Sequence, residues 1–407
     1  MSRDVTVIGI DHEARPAAPL PPNLSLIVGG RRHLDAHAPA EVERFPITTG
    51  MEAACAAISA ATGPCAVLAS GDPGWFGVVR QLHRLLPEAT LTVHPAVSSV
   101  AAAYARLGLP WEQATIASAH GRHARAAFAA LLNHSHVAVL TSPDHSPDHF
   151  ARLLVSVGHG ERPLIVVERL GHTDERIVRL TAAEAAHAEF ASPNVLISAT
   201  RLPEDKTVLA GGRSVQPWAR PVSEFAHRDG QITKPAVRAL ALAHLAPSPG
   251  RLLWDIGCGS GSVAVEAAQL GAGVIGIERD GEQIERARLN SAGHHVRLGL
   301  IHADAQDALP DLPVADGAFI GGGGRALLDI VDLVARSGVS RIALALATVE
   351  RVGAILRHLA DLGWAAEAQQ VAINRLSPLA DGHRLQPENP VFLVTAAGPD
   401  NTGETQS

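Results

Sequence analysis

The sequence predicts an α/β protein built as two successive units, and three observations carry that expectation. Strand-like apolar runs alternate with Ala- and Leu-rich helical stretches along most of the 407 residues. That length exceeds what one ordinary core holds. The alternation breaks once, over residues 201–221, where prolines, a Gly-Gly pair and scattered charge show no period, and then it starts afresh.

In order along the chain, Val5–Ile10 reads as the first strand. Runs closing at Val28 and spanning Ala66–Ser70, Leu91–His94, Thr115–Ser118, Val137–Thr141 and Leu164–Glu168 follow. Strands separated by helical crossovers imply largely parallel sheets. Beyond the linker, Pro235–Leu245 reads as a helix. Leu252–Ile256, Val274–Glu278, Gly317–Ile320 and Ile342–Leu346 read as strands, with two late strands near Ala366–Ile373 and Val391–Thr395. The units are therefore 1–200 and 222–397, with a polar, frayed tail over 398–407. They do not read as copies of each other.

Composition narrows the function. The net charge is −7, and no Lys/Arg block exceeds Arg31-Arg32. This argues against a nucleic-acid partner, which calls for a basic patch or arm. Lys206 and Lys234 are the only lysines. Fixed positive charge is thus nearly always a guanidinium, which suits carboxylate recognition. Cys55, Cys65 and Cys258 are odd in number and widely spaced, so neither a disulfide framework nor a structural zinc site is expected. His33/His37 and His145/His149 have four-residue spacing, but neither pair carries the Glu of H-E-x-x-H, so no metal is expected. No apolar run nears the ~18 residues of a membrane span. The start runs directly into a strand without a signal peptide. The expectation is a cytoplasmic protein with no membrane partner.

The most informative segment is Trp254-Asp255-Ile256-Gly257-Cys258-Gly259-Ser260-Gly261-Ser262, between a strand and a helix. Its glycines let the backbone turn tightly and approach a ligand. The next strand ends at Glu278, about 20 residues past Gly257, where a carboxylate accepts ribose hydroxyls. A dinucleotide fingerprint, G-x-G-x-x-G, needs Gly at 262, which is Ser. The other reading of this segment is a Gly-rich turn with no ligand. Upstream, Thr233 is suited to cap a helix with Pro235 in its first turn, which leaves Lys234 unexplained. Downstream, Phe319-Ile320-Gly321-Gly322-Gly323-Gly324 ends a strand in open space.

These features resemble the Rossmann-like class I methyltransferases, whose G-x-G-x-G loop meets the methionine part of S-adenosylmethionine. The resemblance implies cofactor contacts from Thr233, Asp255, Gly257, Gly259, Ser260, Gly261, Glu278, Asp304 and Ala305. The base-methylating tetrad Asn/Asp-Pro-Pro-aromatic is absent at 321–324. The combination of Gly230 to Lys234, Asp255 to Ser262, Ile277 to Asp280 and Phe319 to Gly324 is similar to the precorrin methylase domains, which methylate C-15 and decarboxylate a ring acetate.

In the first unit the informative segments are Val28 to Leu34, Ser70-Gly71-Asp72-Pro73-Gly74-Trp75-Phe76-Gly77, Pro95 to Ser99 and Ser118 to Arg122. Taken singly, Ser70 to Pro73 is also an ordinary turn and helix start. In this order the four resemble the tetrapyrrole methylases, in the branch acting at C-5. That fold has two α/β subdomains around a cleft, and here it precedes a class I sheet. The resemblance implies donor binding through Gly9, Ser70, Gly71, Asp72, Pro73, Ser98 and Ser99. The family's first loop is G-x-G-x-G, whereas Gly9-Ile10-Asp11-His12-Glu13 keeps only its first glycine.

The implied activity is methylation of an electron-rich meso carbon of an acidic tetrapyrrole by a homo-oligomer. Such chemistry asks for orientation rather than a protein nucleophile. Arg31, Arg32, His33, His120, Arg122, Lys234, Arg238 and Arg384 are the candidates for facing substrate carboxylates, with Lys234 and Arg238 alternatively structural. Three readings compete: a class I enzyme on another small molecule with an accessory first unit, a nicotinamide dehydrogenase, and a non-catalytic tetrapyrrole carrier or donor sensor.

Overall fold

The computed structural model describes residues 3–48, 50–119, 124–199, 218–228 and 232–399. It is a mixed α/β structure with parallel-rich sheets. The first sheet holds β1 (Arg3–Ile10), β2 (Leu26–Gly29), β3 (Glu43–Pro46), β4 (Cys65–Ser70) and β5 (Ala89–His94) in the order β3-β2-β4-β1-β5. Every pairing is parallel. Val5, Val7, Ile8 and Ile10 are all buried, as expected of a central parallel strand covered on both faces.

The second sheet holds β6 (Thr115–Ser118), β7 (His136–Leu140), β8 (Pro163–Glu168), β9 (Arg176–Thr181) and β10 (Asn194–Ala199), in the order β6-β7-β10-β8-β9. Only β6–β7 is parallel. β10 runs antiparallel to β7 and β8, as β8 does to β9. The expectation of largely parallel sheets fails here. β8 and β9 are joined by the loop 169–175 with no helix, and the one-turn helix Ala182–Ala185 after β9 returns the chain so that β10 enters between β7 and β8 from the opposite end.

The second unit is a seven-stranded sheet of β11 (Leu252–Ile256), β12 (Gly273–Glu278), β13 (Gly299–His302), β14 (Gly317–Ile320), β15 (Arg341–Leu346), β16 (Ala365–Val371) and, later in the chain, β19 (Val391–Ala397). Its order is β13-β12-β11-β14-β15-β19-β16, with β19 antiparallel to both neighbours. β17 (Asn374–Leu379) and β18 (Gly382–Pro387) form a separate, largely exposed ribbon. The sequence did not announce that ribbon, and the late strand expected to Ile373 stops at Val371. Most of the proposed linker and tail lies outside the described residues. Trp218–Pro221 carries no helix or strand. No described helix is long and apolar enough to cross a membrane.

The two units share a core. Helix Ala124–Asn133 lies on the outer face of the second sheet and runs against the amino ends of β11 and β12. Its contact is so close that a Cβ on Gly273 would fall 2.7 Å from the Ala129 Cα. The Asn133 side-chain amide donates to the carbonyls of Ala268 (3.0 Å) and Ala272 (2.7 Å), at the end of helix Ser262–Gln269. Val157 presses on Gly299, at the start of β13, and Arg125 pairs with Asp316 at 2.9 Å, just before β14. All of these contacts meet the amino-end edge of the third sheet.

Candidate functional site

Strand order reverses at β11, with β12 on one side and β14 on the other. This is the crevice position where open α/β sheets bind ligands, outside the carboxyl ends of the strands. A cavity of about 810 Å³ opens there, lined by Asp255 to Ser260, Glu278 to Asp280, Ala303 to Gln306 and Gly321 to Gly323. Gly257, Gly259 and Gly261 have φ of +66°, +53° and +76°. A side chain at any of the three would strain the loop. At Gly259 a Cβ would meet nothing within 4 Å, so the loop presents bare backbone to open space.

The acids around the loop are held by backbone amides. Glu278 accepts hydrogen bonds from Gly259 N and Asp280 N, both at 3.0 Å. Asp255 Oδ2 accepts from Ala264 N at 2.9 Å. Burial pushes the Asp255 carboxyl up to about 7, with nearby Glu278 adding to the rise and the Ala264 amide opposing it. Asp304 begins the short helix after β13, and Ala305 follows it on the cavity wall. Burial raises the Cys258 thiol well above its ordinary range, so it is not poised as a nucleophile. Gln283 was not anticipated. It lines the cavity, and its Oε1 is buried with no hydrogen-bond partner among the described residues. Its only sequence signal is position, early in the helix that follows Glu278.

The basic candidates divide. Lys234 lines the cavity, with Nζ 3.9 Å from Glu388 Oε2. Thr233 also lines the cavity, but the helix cap falls one residue later, on Lys234, and no side chain caps it. Arg238 is not a substrate contact. It is fully buried and bonded to Glu266, also fully buried, at 2.9 Å. It donates as well to the Thr233 carbonyl at 2.6 Å and to the Arg220 carbonyl, and its guanidinium lies 4.9 Å from the Phe225 ring centroid. Glu266 in turn accepts from the amides of Ala219 and Arg220. A buried charge must be matched in this way, and full burial keeps the guanidinium out of the cavity. Arg384 is also corrected: it lies exposed on β18, opposite Ser377, and does not line the cavity.

In the first unit, the expected loops meet at the carboxyl ends of β1 and β4. Gly9 lies buried beneath Gly71 and Ala96, and a Cβ there would fall 2.3 Å from the Gly71 carbonyl oxygen. Its glycine is demanded by this crossing, so it is not an open ligand surface as expected. Gly71 has φ +64° and faces Ser98. Asp72 accepts from Gly74 N at 2.8 Å, and Pro73 is buried. Ser98 caps the helix that begins at Ser99 by accepting from Ala101 N at 3.1 Å. His33 is turned inward against the Ser70 hydroxyl at 2.7 Å, and burial, aided by Arg32, lowers its pKa to about 4. It is neutral at ordinary pH and offers no charge to substrate carboxylates. Arg31 and Arg32 stand exposed at their helix start. His120 and Arg122 lie outside the described residues.

Two domain families divide the chain. The tetrapyrrole (corrin/porphyrin) methylases match residues 4–186, and the precorrin methyltransferase domain matches residues 224–397. A precorrin-6Y C(5,15)-methyltransferase [decarboxylating] from Sinorhizobium sp is 35% identical over 95% of this chain and 94% of its own length. The chain belongs to that family. Membership makes it an enzyme of the methyltransferase class and removes the dehydrogenase, carrier and sensor readings. A probable cobalt-precorrin-6B C(15)-methyltransferase (decarboxylating) from Pyrobaculum aerophilum is 37% identical over 43% of this chain and 94% of its own. A solved precorrin-6y C5,15-methyltransferase from Geobacter metallireducens GS-15 is 32% identical, covers 45% of this chain and 97% of that one, and has a TM-score of 0.42.

Proposed function

We propose that the chain methylates precorrin-6Y at C-5 and C-15 and removes carbon dioxide from the ring C acetate, in corrin ring synthesis for cobalamin. S-adenosylmethionine is the methyl donor. Kinship along the whole length supports the substrate. The single observation that carries the donor is the cavity at the β11 switch, where bare backbone at Gly259 meets open space beside a fixed Glu278 carboxylate. The Gln283 Oε1 adds an acceptor with no partner among the described residues. These residues fit the donor: Glu278 for the ribose hydroxyls, Asp304, Ala305 and Gln283 for the adenine end, Asp255 and the glycine loop for the cationic end.

The bound donor supplies an electrophilic methyl group. The chain's own part is to hold an electron-rich ring carbon in line with it, which is where orientation gives most of the acceleration. Gly321 to Gly323 leave room for a broad substrate, and Thr233 and Lys234 form the facing wall. When the acetate loses carbon dioxide, the electron pair of the broken C–C bond passes into the ring imine, and a proton then adds to the carbon. A less polar cleft favours that loss. Because Glu388 stands beside Lys234, the ammonium is drawn away from tight pairing with the departing carboxylate.

Residues 1–200 would serve C-5 and residues 222–397 C-15. In the first unit, Ser70 to Pro73 and Ser98-Ser99 form the donor side, with Arg31 and Arg32 toward substrate carboxylates. Exposed Leu376, Leu379 and Leu385 on the β17–β18 ribbon support a homo-oligomer. The reaction implies the cytoplasm. Incubation of the full chain with precorrin-6Y and methyl-labelled donor is expected to yield product with two labelled methyls and one carbon dioxide per macrocycle. Product lacking label overturns the proposal.

A further inference from the structure

Resting on that two-site reading, we infer that the singly processed tetrapyrrole leaves the chain between its two methylations, because the fold turns the two sites away from each other. The second sheet of the first unit has two covered faces. One carries helix Ser99–Leu107, whose Val100, Ala103 and Tyr104 share a core with Ala138, Val167 and Ile197. Ser98, at the start of that helix, faces Gly71 across the first cleft. The other face carries helices Ala124–Asn133 and Pro147–Ser156, whose Phe128, Leu132, Phe150 and Leu154 share a core with Val137, Val139 and Leu196. The first cleft and the second unit thus lie on opposite sides of this sheet.

The second unit is also docked by its far end. The first unit touches Ala268, Ala272, Gly273, Gly299 and Asp316, all near the amino ends of strands β11 to β14. The donor cavity opens at the carboxyl ends of the same strands. A molecule passing between the sites must therefore cross a helix layer, about 10 Å thick, and the length of the third sheet. β12, of 6 residues, spans about 20 Å of that sheet. The interface itself is filled by close contacts such as Ala129 on Gly273 and Val157 on Gly299. A cavity beside it, about 670 Å³, is lined by Arg125, Phe128, His149, Pro310, Asp316 and neighbouring residues, and shares no described lining residue with the donor cavity. A substrate bound at one site has no direct reach to the other within one chain, so each site must recognise its acidic macrocycle independently, from solvent.

The test uses two full-length variants. Glu278→Ala removes the acceptor at the second donor site, and Gly71→Val crowds Ser98 across the first cleft. Circular dichroism verifies that both fold. Neither variant alone should add more than one methyl per macrocycle. An equimolar mixture, matched to wild type in intact sites of each kind, should give doubly methylated product with the lag and rate of wild type, and unlabelled intermediate added in excess should dilute the second methylation in wild type. Wild type that shows no lag and resists dilution, beside a mixture that lags, overturns the inference while leaving two sites intact. A single variant that still adds both methyls overturns the two-site reading instead, and the inference with it.

Discussion

The two proposed cofactor regions are built from different materials. In the second unit the heart of the site is local: three glycines with positive φ, two strand ends and the carboxylates of Asp255 and Glu278, all within residues 255–278. In the first unit it is assembled at long range. Gly9 is wedged under Gly71 and Ala96, His33 holds Ser70, and Ser98 closes from a third loop. A local site is written in residue spacing, whereas a long-range one is written in packing. Perturbations should therefore separate cleanly between the two.

The largest effect falls on the clamp behind the second site. Arg238→Met leaves Glu266 buried without its cation and should cost about 3–5 kcal/mol in urea unfolding. Arg238→Met with Glu266→Leu should recover part of that loss, and equal damage from the single and double variants would deny the coupling. Gly257→Val comes next. Its φ of +66° costs a side chain about 1–2 kcal/mol, and the added bulk meets Gly322 N near 3.2 Å. If the donor needs the loop in this conformation, affinity at the second site should fall about five- to thirtyfold from that strain, with the first site unchanged. Loss at both sites would erase the contrast.

Proton linkage sharpens the comparison further. Asp255 titrates near 7 in the fold, against 3.8 when unperturbed. The neutral form is therefore favoured by folding, and stability from this group drains away as pH rises from about 4 to 7. A cationic donor favours the anion, so second-site affinity should weaken as pH falls below about 7, by at most about tenfold per unit. Asp255→Asn should flatten that profile, and an unchanged slope would exclude Asp255 from it. His33 works in the opposite direction. Its folded value of about 4 lies below the unperturbed 6.5. The unfolded chain thus binds the extra proton, and stability is lost as pH falls from 6.5 towards 4. His33→Gln should remove that acid-side loss in melting curves while keeping a polar partner for Ser70.

Much of the second unit was legible because glycine spacing, strand ends and Glu278 obey local rules. The antiparallel turn of β10 was not, since strand direction depends on where the chain re-enters the sheet. The β17–β18 ribbon escaped because its residues are mostly exposed and interrupted by Pro378 and Gly382, so no buried period marks it. Arg238 and His33 look functional in sequence because charged or titratable residues sit in informative segments. Their partners, Glu266 and Ser70, lie 28 and 37 residues away, and only the fold reveals them.

The most direct test is calorimetric titration of the full chain with S-adenosylhomocysteine, repeated on Gly257→Val. Two equivalents per wild-type chain, falling to one tight equivalent in the variant, is the result expected of two separately built sites. A single equivalent in wild type that vanishes in the variant would contradict it, leaving the first cleft without a donor.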